Sequence, residues 1–132
     1  MARTGPLFGI GTADVTGPSM LPTLRQGDRL VVRYGARVRP GDLVAALHPL
    51  QQDLPIVKRA VERRGTGWWL LSDNPYSETD SRVWGPVPDE LILGRIVGRY
   101  WPRPSRLSAG LMEAESDGAE GDDADAERLR AR

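Results

Sequence analysis

The apolar residues of this chain arrive in short runs, and each run is soon cut off by glycine, proline or aspartate. Such punctuation leaves little room for amphipathic helices of ordinary length and fits short strands joined by turns. The run DRLVVRY (28–34) leads to RPGD, where Pro40 pre-sets φ and Gly41 is free to take φ > 0. LVAALHP follows, and then LPIVKRAVERRG, whose alternation around Ile56, Lys58 and Ala60 predicts a strand with distinct faces. GTGWWLLSDN reads as its hairpin partner across the charged tip Arg63-Arg64-Gly65. NPYSETDSR is read as a polar loop, DELI as one helical turn and LGRIVGRYWP as a last strand. The expected fold class is mainly β, with the sheet curled or coiled on itself.

A chain of 132 residues suits one small domain with a single core. Residues 1–13, rich in Gly and Thr without periodicity, are expected to be a flexible arm, and residues 14–106 the folded body. Residues 107–132 are expected to be a disordered acidic tail, with a short helix near Glu127. The stretch MEAESDGAEGDDADAERLRAR has too little apolar surface to offset its ordering entropy.

The formal charge of zero hides an asymmetry. Residues 113–132 hold 8 of the 18 acidic and 3 of the 18 basic residues, leaving 10 acidic against 15 basic residues, net +5, in residues 1–112. That excess is mild and spread out, without the blocks or aromatic-basic interleaving of a nucleic-acid groove, so no nucleic-acid partner is expected. The absence of cysteine excludes thiol catalysis and cysteine metal sites. A single histidine, His48, disfavours a His-cluster metal site; it is read as a turn or surface residue, and no cofactor is expected. The four tryptophans are read as core or rim packing. The longest apolar runs, LVAAL and WWLL, fall far short of the roughly 18 to 20 residues that span a bilayer. On that basis the protein is expected to be soluble, cytoplasmic and without a transmembrane anchor.

Lys58 is the only lysine among the 18 basic residues, and it lies in an apolar stretch, LPIVKRAV. Arginine keeps its proton in a protein, whereas burial lowers the pKa of a lysine ammonium toward the neutral amine. Lys58 is therefore the one basic side chain able to act as a general base. Its natural partner is a hydroxyl, and Ser19 in VTGPSMLPTLRQGD (15–28) sits in a tight Gly17-Pro18 turn that brings a backbone N–H close to where an oxyanion would form. Taken alone, the pairing stays open, because serines in Gly-Pro-Ser turns are mostly structural.

The order of blocks adds to it. GPSMLPTLRQGD, RPGDLV, VKR, SDNPYSETDSRVWGPVP and ILGRIVGRYWP, spanning about residues 14 to 102, resemble the signal peptidase I group of serine proteases. Within that group the chain looks most like the soluble nickel-type superoxide dismutase maturation proteases. The resemblance implies a coiled β-sheet fold of the signal peptidase/LexA type, with Ser19 as nucleophile, the Ser19 backbone N–H in the oxyanion hole and Lys58 as general base. It implies that Asp80, Ser81 and Arg82 buttress the site, with Asp80 paired to Arg82 or Arg59. Met20, Leu21 and Ile56 are expected to line substrate pockets.

Two positions depart from the family pattern. Gly17 stands where many members carry a hydroxyl residue that donates to the oxyanion, a loss that typically costs about 100- to 1000-fold in rate. Glu78 stands where a serine usually orients the lysine, and Ser77 is expected to take over that task. The implied activity is a Ser/Lys endopeptidase that removes a short N-terminal extension from a precursor protein, here nickel superoxide dismutase. The alternatives are a broader signal-peptidase-like processing enzyme, a self-cleaving repressor-type domain, and a non-catalytic β-barrel interaction module.

Overall fold

The computed structural model describes residues 9–77, 79–107 and 128–131. Among them run β1 (Ile10–Val15), β2 (Arg29–Tyr34), β3 (Leu43–His48), β4 (Gln51–Arg64), β5 (Gly67–Leu71), a one-turn helix α1 (Ser81–Trp84) and β6 (Val87–Pro88). A 3-10 turn (Asp89–Leu91) then leads into β7 (Ile92–Trp101), β8 (Ser105–Arg106) and β9 (Arg128–Ala131). The strands form one sheet in the order β6-β5-β4-β3-β7-β2-β1-β9, with β8 folded back on β7. Every pairing is antiparallel except that of β1 with β9. The mainly β, coiled-sheet expectation is met.

Two apolar clusters form as the sheet coils. One gathers Ala13, Val15, Met20, Leu24, Leu30, Val32, Leu43, Ala45, Val57, Ile96 and Ala131. The other gathers Val44, Ala46, Ile56, Ala60, Trp68, Leu70 and Val87. Strand β4 feeds both, because successive side chains leave a strand on opposite sides and Ile56 and Val57 enter different clusters. Lys58 follows Val57 directly and is as buried as these apolar neighbours. The strand expected to show distinct faces is covered on both sides at its centre, where Ile56, Val57, Lys58 and Ala60 are all buried.

The hairpin of β4 and β5 carries an irregularity that matters for the site. From its tip the register runs Arg64↔Gly67, Arg63↔Trp68 and Glu62↔Trp69, then skips Val61 and resumes at Ala60↔Leu70 and Arg59↔Leu71. Val61 is the extra residue of a β-bulge. Continued one step, the register sets Lys58 beside Ser72.

Three expectations change. Part of the supposed arm is β1, whose inward positions Gly11, Ala13 and Val15 alternate correctly but are too small to announce a strand. Part of the supposed tail is β9, and the helix expected near Glu127 gives way to an extended segment over Arg128–Ala131, because the free edge of β1 supplies partners that the isolated segment lacks. The polar loop contains α1, begun by the Asp80 carboxylate accepting from the Arg82 backbone N–H. The remainder of the arm (1–8), of the tail (108–127 and 132) and Glu78 lie outside the described residues.

Candidate active site

The loop after β1 carries Ser19. Gly17 has φ of 101°, a region that side chains rarely adopt, so the turn itself accounts for glycine where a hydroxyl residue was expected. Beyond it the chain coils tightly, with Leu21 N–H donating to Pro18 O at 3.1 Å and Leu24 N–H to Met20 O at 2.9 Å. The loop is tied to the segment that follows β5. Asn74 donates from its backbone N–H to Ser19 O at 3.0 Å and from Nδ2 to Pro18 O at 2.9 Å. Thr23 Oγ1 donates to Asp73 Oδ2 at 2.6 Å, and Asp73 N–H reaches Met20 Sδ at 3.3 Å. Ser19 is held against the segment that begins with Ser72.

Lys58 reaches the same segment from β4. Only 1% of its surface is exposed. Its Nζ donates to Ser72 Oγ at 3.1 Å and to Thr79 Oγ1 at 3.4 Å. Ser72 Oγ also lies 3.4 Å from Ser77 Oγ, which is 3.3 Å from Thr79 Oγ1. Burial lowers the Lys58 pKa to about 8; the Asp80 carboxylate opposes the shift and the Arg82 guanidinium adds to it. At pH 7 roughly a tenth of such an amine is neutral, against a negligible fraction for a solvated lysine.

Ser19 is buried, and its Oγ has no hydrogen-bond partner among the described residues. A direct Ser19–Lys58 hydrogen bond is not formed here; the amine's two hydrogen bonds go to Ser72 and Thr79. Sites of this kind often tighten their hydrogen bonds only when substrate arrives. A buried hydroxyl without a protein partner costs stability.

Asp80 supports this arrangement from a fully buried position. Its Oδ2 accepts from the Ser72 backbone N–H at 2.8 Å, and Arg82 Nε and Nη2 close on the carboxylate at 3.0 and 2.9 Å. Burial alone would raise its pKa, but the hydrogen bonds from Arg82 and from the Ser72 N–H outweigh that and hold it below the usual value. Of the two expected arginine partners, Arg82 is the one it takes. Arg59 instead forms a two-point bridge to Asp73, through Nε at 3.1 Å and Nη2 at 2.7 Å. Ser81 Oγ accepts from the Leu70 N–H at 2.9 Å and fixes α1 against β5.

Of the expected pocket-lining residues, Met20 and Ile56 are packed into separate core clusters, and only Leu21 reaches solvent. His48 ends β3, and its ring meets that of Trp84 at a centroid distance of 4.5 Å, tilted by 55°. Sequence reasoning missed Ser72 and Thr79. Ser72 could have been found by counting the hairpin register from its tip, had the bulge been visible.

A sequence profile described as Peptidase S24-like matches residues 9–97, about two thirds of the chain and all the residues just described. The chain belongs to the Peptidase S24-like family. It is a serine peptidase in that sense. Curated relatives of this S24-like chain include mitochondrial inner membrane protease subunit 1 of Schizosaccharomyces pombe, 31% identical over 117 residues, which cover 70% of this chain and 74% of the relative. The protein of the same name from Xenopus tropicalis is 34% identical over 114 residues, covering 68% of each. Thylakoidal processing peptidase 1 of Arabidopsis thaliana is 52% identical over 40 residues, covering 30% of this chain and 12% of that one.

The cytoplasmic expectation is overturned by these relatives, whose names place them at a membrane. The inference failed because a peptidase domain has the same composition wherever it works. No helix among the described residues is long and apolar enough to cross a bilayer.

Proposed function

We propose that this S24-like peptidase is a signal-peptidase-like processing endopeptidase in which Ser19 is the nucleophile and Lys58 the general base. The observation that carries this reading is a buried amine with its pKa lowered to about 8, joined through Ser72 to the segment that holds a buried, unpartnered serine hydroxyl. Neutral Lys58 Nζ takes the proton of Ser19 Oγ as that oxygen bonds to the scissile carbonyl carbon. The oxyanion is met by the Ser19 backbone N–H, and the new ammonium gives its proton to the leaving amine as the C–N bond breaks. Water, deprotonated by the same amine, releases the acyl group and restores Ser19. Ser72, with Thr79 behind it, holds the amine, and Asp80 holds the backbone of Ser72.

The substrate class follows the relatives' names. Mitochondrial inner membrane protease subunits and thylakoidal processing peptidases favour the broader role, processing of precursor proteins in a membrane-associated setting. The narrower reading, a nickel superoxide dismutase precursor as the sole substrate, draws no support from them.

Lys58→Arg is the deciding variant. It keeps the charge and removes the base, so precursor cleavage is expected to vanish while the fold persists; retained cleavage would sink the assignment. Ser19→Ala separates the peptidase from an interaction module, since a module would keep all of its function.

A further inference from the structure

Strand β9 occupies a singular place. It runs parallel to β1 in the register Thr12↔Arg128, Ala13↔Leu129, Asp14↔Arg130 and Val15↔Ala131, the only parallel pairing among the described strands. The pairing continues into the loop that holds Ser19, because Thr16 donates to Ala131 O from its backbone N–H at 2.6 Å and from Oγ1 at 3.0 Å. On its other side β9 lies along β4, the strand of Lys58, and Ala131 is fully buried in the cluster that contains Val15 and Val57. An extended segment of this chain is thus laid between the strand leading to Ser19 and the strand bearing Lys58. In sequence β9 follows β8 after 21 residues.

We propose that the β1 edge facing β4 is a docking edge for extended peptides, and that the Arg128–Ala131 segment fills it in cis, competing with an incoming substrate strand. The proposal rests on the site assignment above, since only that makes the edge a substrate's path. The main-chain hydrogen bonds of β1 provide the general affinity, as in other strand-addition contacts, and the small Ala131 side chain fits where the core closes around Val15 and Val57. An intramolecular occupant lowers apparent affinity by the fraction of time it vacates the edge. A segment docked about nine-tenths of the time weakens binding in trans about tenfold.

The probe is a labelled hexapeptide of the sequence Glu127–Arg132, followed by fluorescence anisotropy with the full-length chain. Two variants displace the segment by different means. Ala131→Glu puts a charge where the core is apolar, and Leu129→Pro removes a main-chain N–H that faces β1. Both are expected to bind the probe at least about tenfold more tightly than the unaltered chain. Equal or absent probe binding in all three proteins would overturn the proposal. So would cooperative loss of the whole fold in both variants, because a competitor can leave without unfolding what it covers. Tight probe binding by the variants together with no peptide cleavage by any of the three would uphold the docking edge and refute the catalytic assignment instead.

Discussion

Lys58 Nζ and Ser72 Oγ stand 3.1 Å apart, a hydrogen bond between the middle of β4 and the first residue past β5. Ser77, the serine expected to orient the lysine, touches Ser72 at 3.4 Å and is a step removed from the amine. Ser72→Ala is therefore expected to lower kcat about 10- to 100-fold with KM nearly unchanged, the loss of one hydrogen bond to a charged or reacting group. Ser77→Ala should have a smaller effect. Steady-state kinetics on a common peptide substrate compares them; equal losses would shift the orienting role back to Ser77.

Activity should rise with pH. The base is competent only when neutral, and burial brings its pKa down to about 8, so kcat/KM is expected to climb through pH 7 and level off above about 8. A flat profile between pH 6 and 9 would contradict this.

The same burial weakens the fold. Lys58 is charged in both states below about pH 8, where the folded state carries the whole desolvation penalty; above that it sheds its proton in the folded state first, so stability recovers between about 8 and 10.5. Lys58→Met should abolish cleavage and yet raise unfolding free energy at pH 7 by about 1–3 kcal/mol, measured by urea titration. The gain should shrink toward pH 10.

Ser19→Ala is expected to be inactive and slightly more stable, by about 1 kcal/mol, because it removes a buried hydroxyl that has no partner. A destabilised Ser19→Ala would mean that the hydroxyl is structural.

Asp80 is the position where a small change should cost most. It holds the Ser72 backbone, the start of α1 and the Arg82 guanidinium at once. Asp80→Ala is expected to lose about 1–3 kcal/mol, because the buried Ser72 N–H loses its acceptor and α1 its cap, while the half-exposed Arg82 can turn to solvent. Because its folded pKa lies below the ordinary 3.8, its contribution is present above that pH and fades as the pH falls through the folded value. Acid titration of the wild type should show this loss and the Asp80→Asn variant should not.

Much of the fold was legible because turn residues and apolar runs alternate regularly from Asp28 to Trp101. Ser19 and Lys58 stood out by residue type, one a serine in a constrained turn and the other a lone lysine in an apolar strand. What stayed hidden depends on pairing over distance. IGTADV looks like an arm until β2 and β9 flank it, and RLRA looks like a charged tail until β1 offers an edge. Met20 and Ile56 looked like pocket walls because a sequence does not say which apolar residues the core will claim. Ser72 was missed for a subtler reason, since its neighbour across the hairpin depends on a single surplus residue.

That surplus residue decides the acid-base character of the whole site. Were Val61 paired instead of bulged, the ladder would zip onward from Glu62↔Trp69 and bring Asp73, not Ser72, opposite Lys58. A carboxylate there would clamp the ammonium and quench it as a proton acceptor. The one-residue offset gives Asp73 to Arg59 and leaves the lysine a neutral hydroxyl for company. A regular ladder through position 61 would turn a latent base into an inert ion pair while altering no residue that meets a substrate.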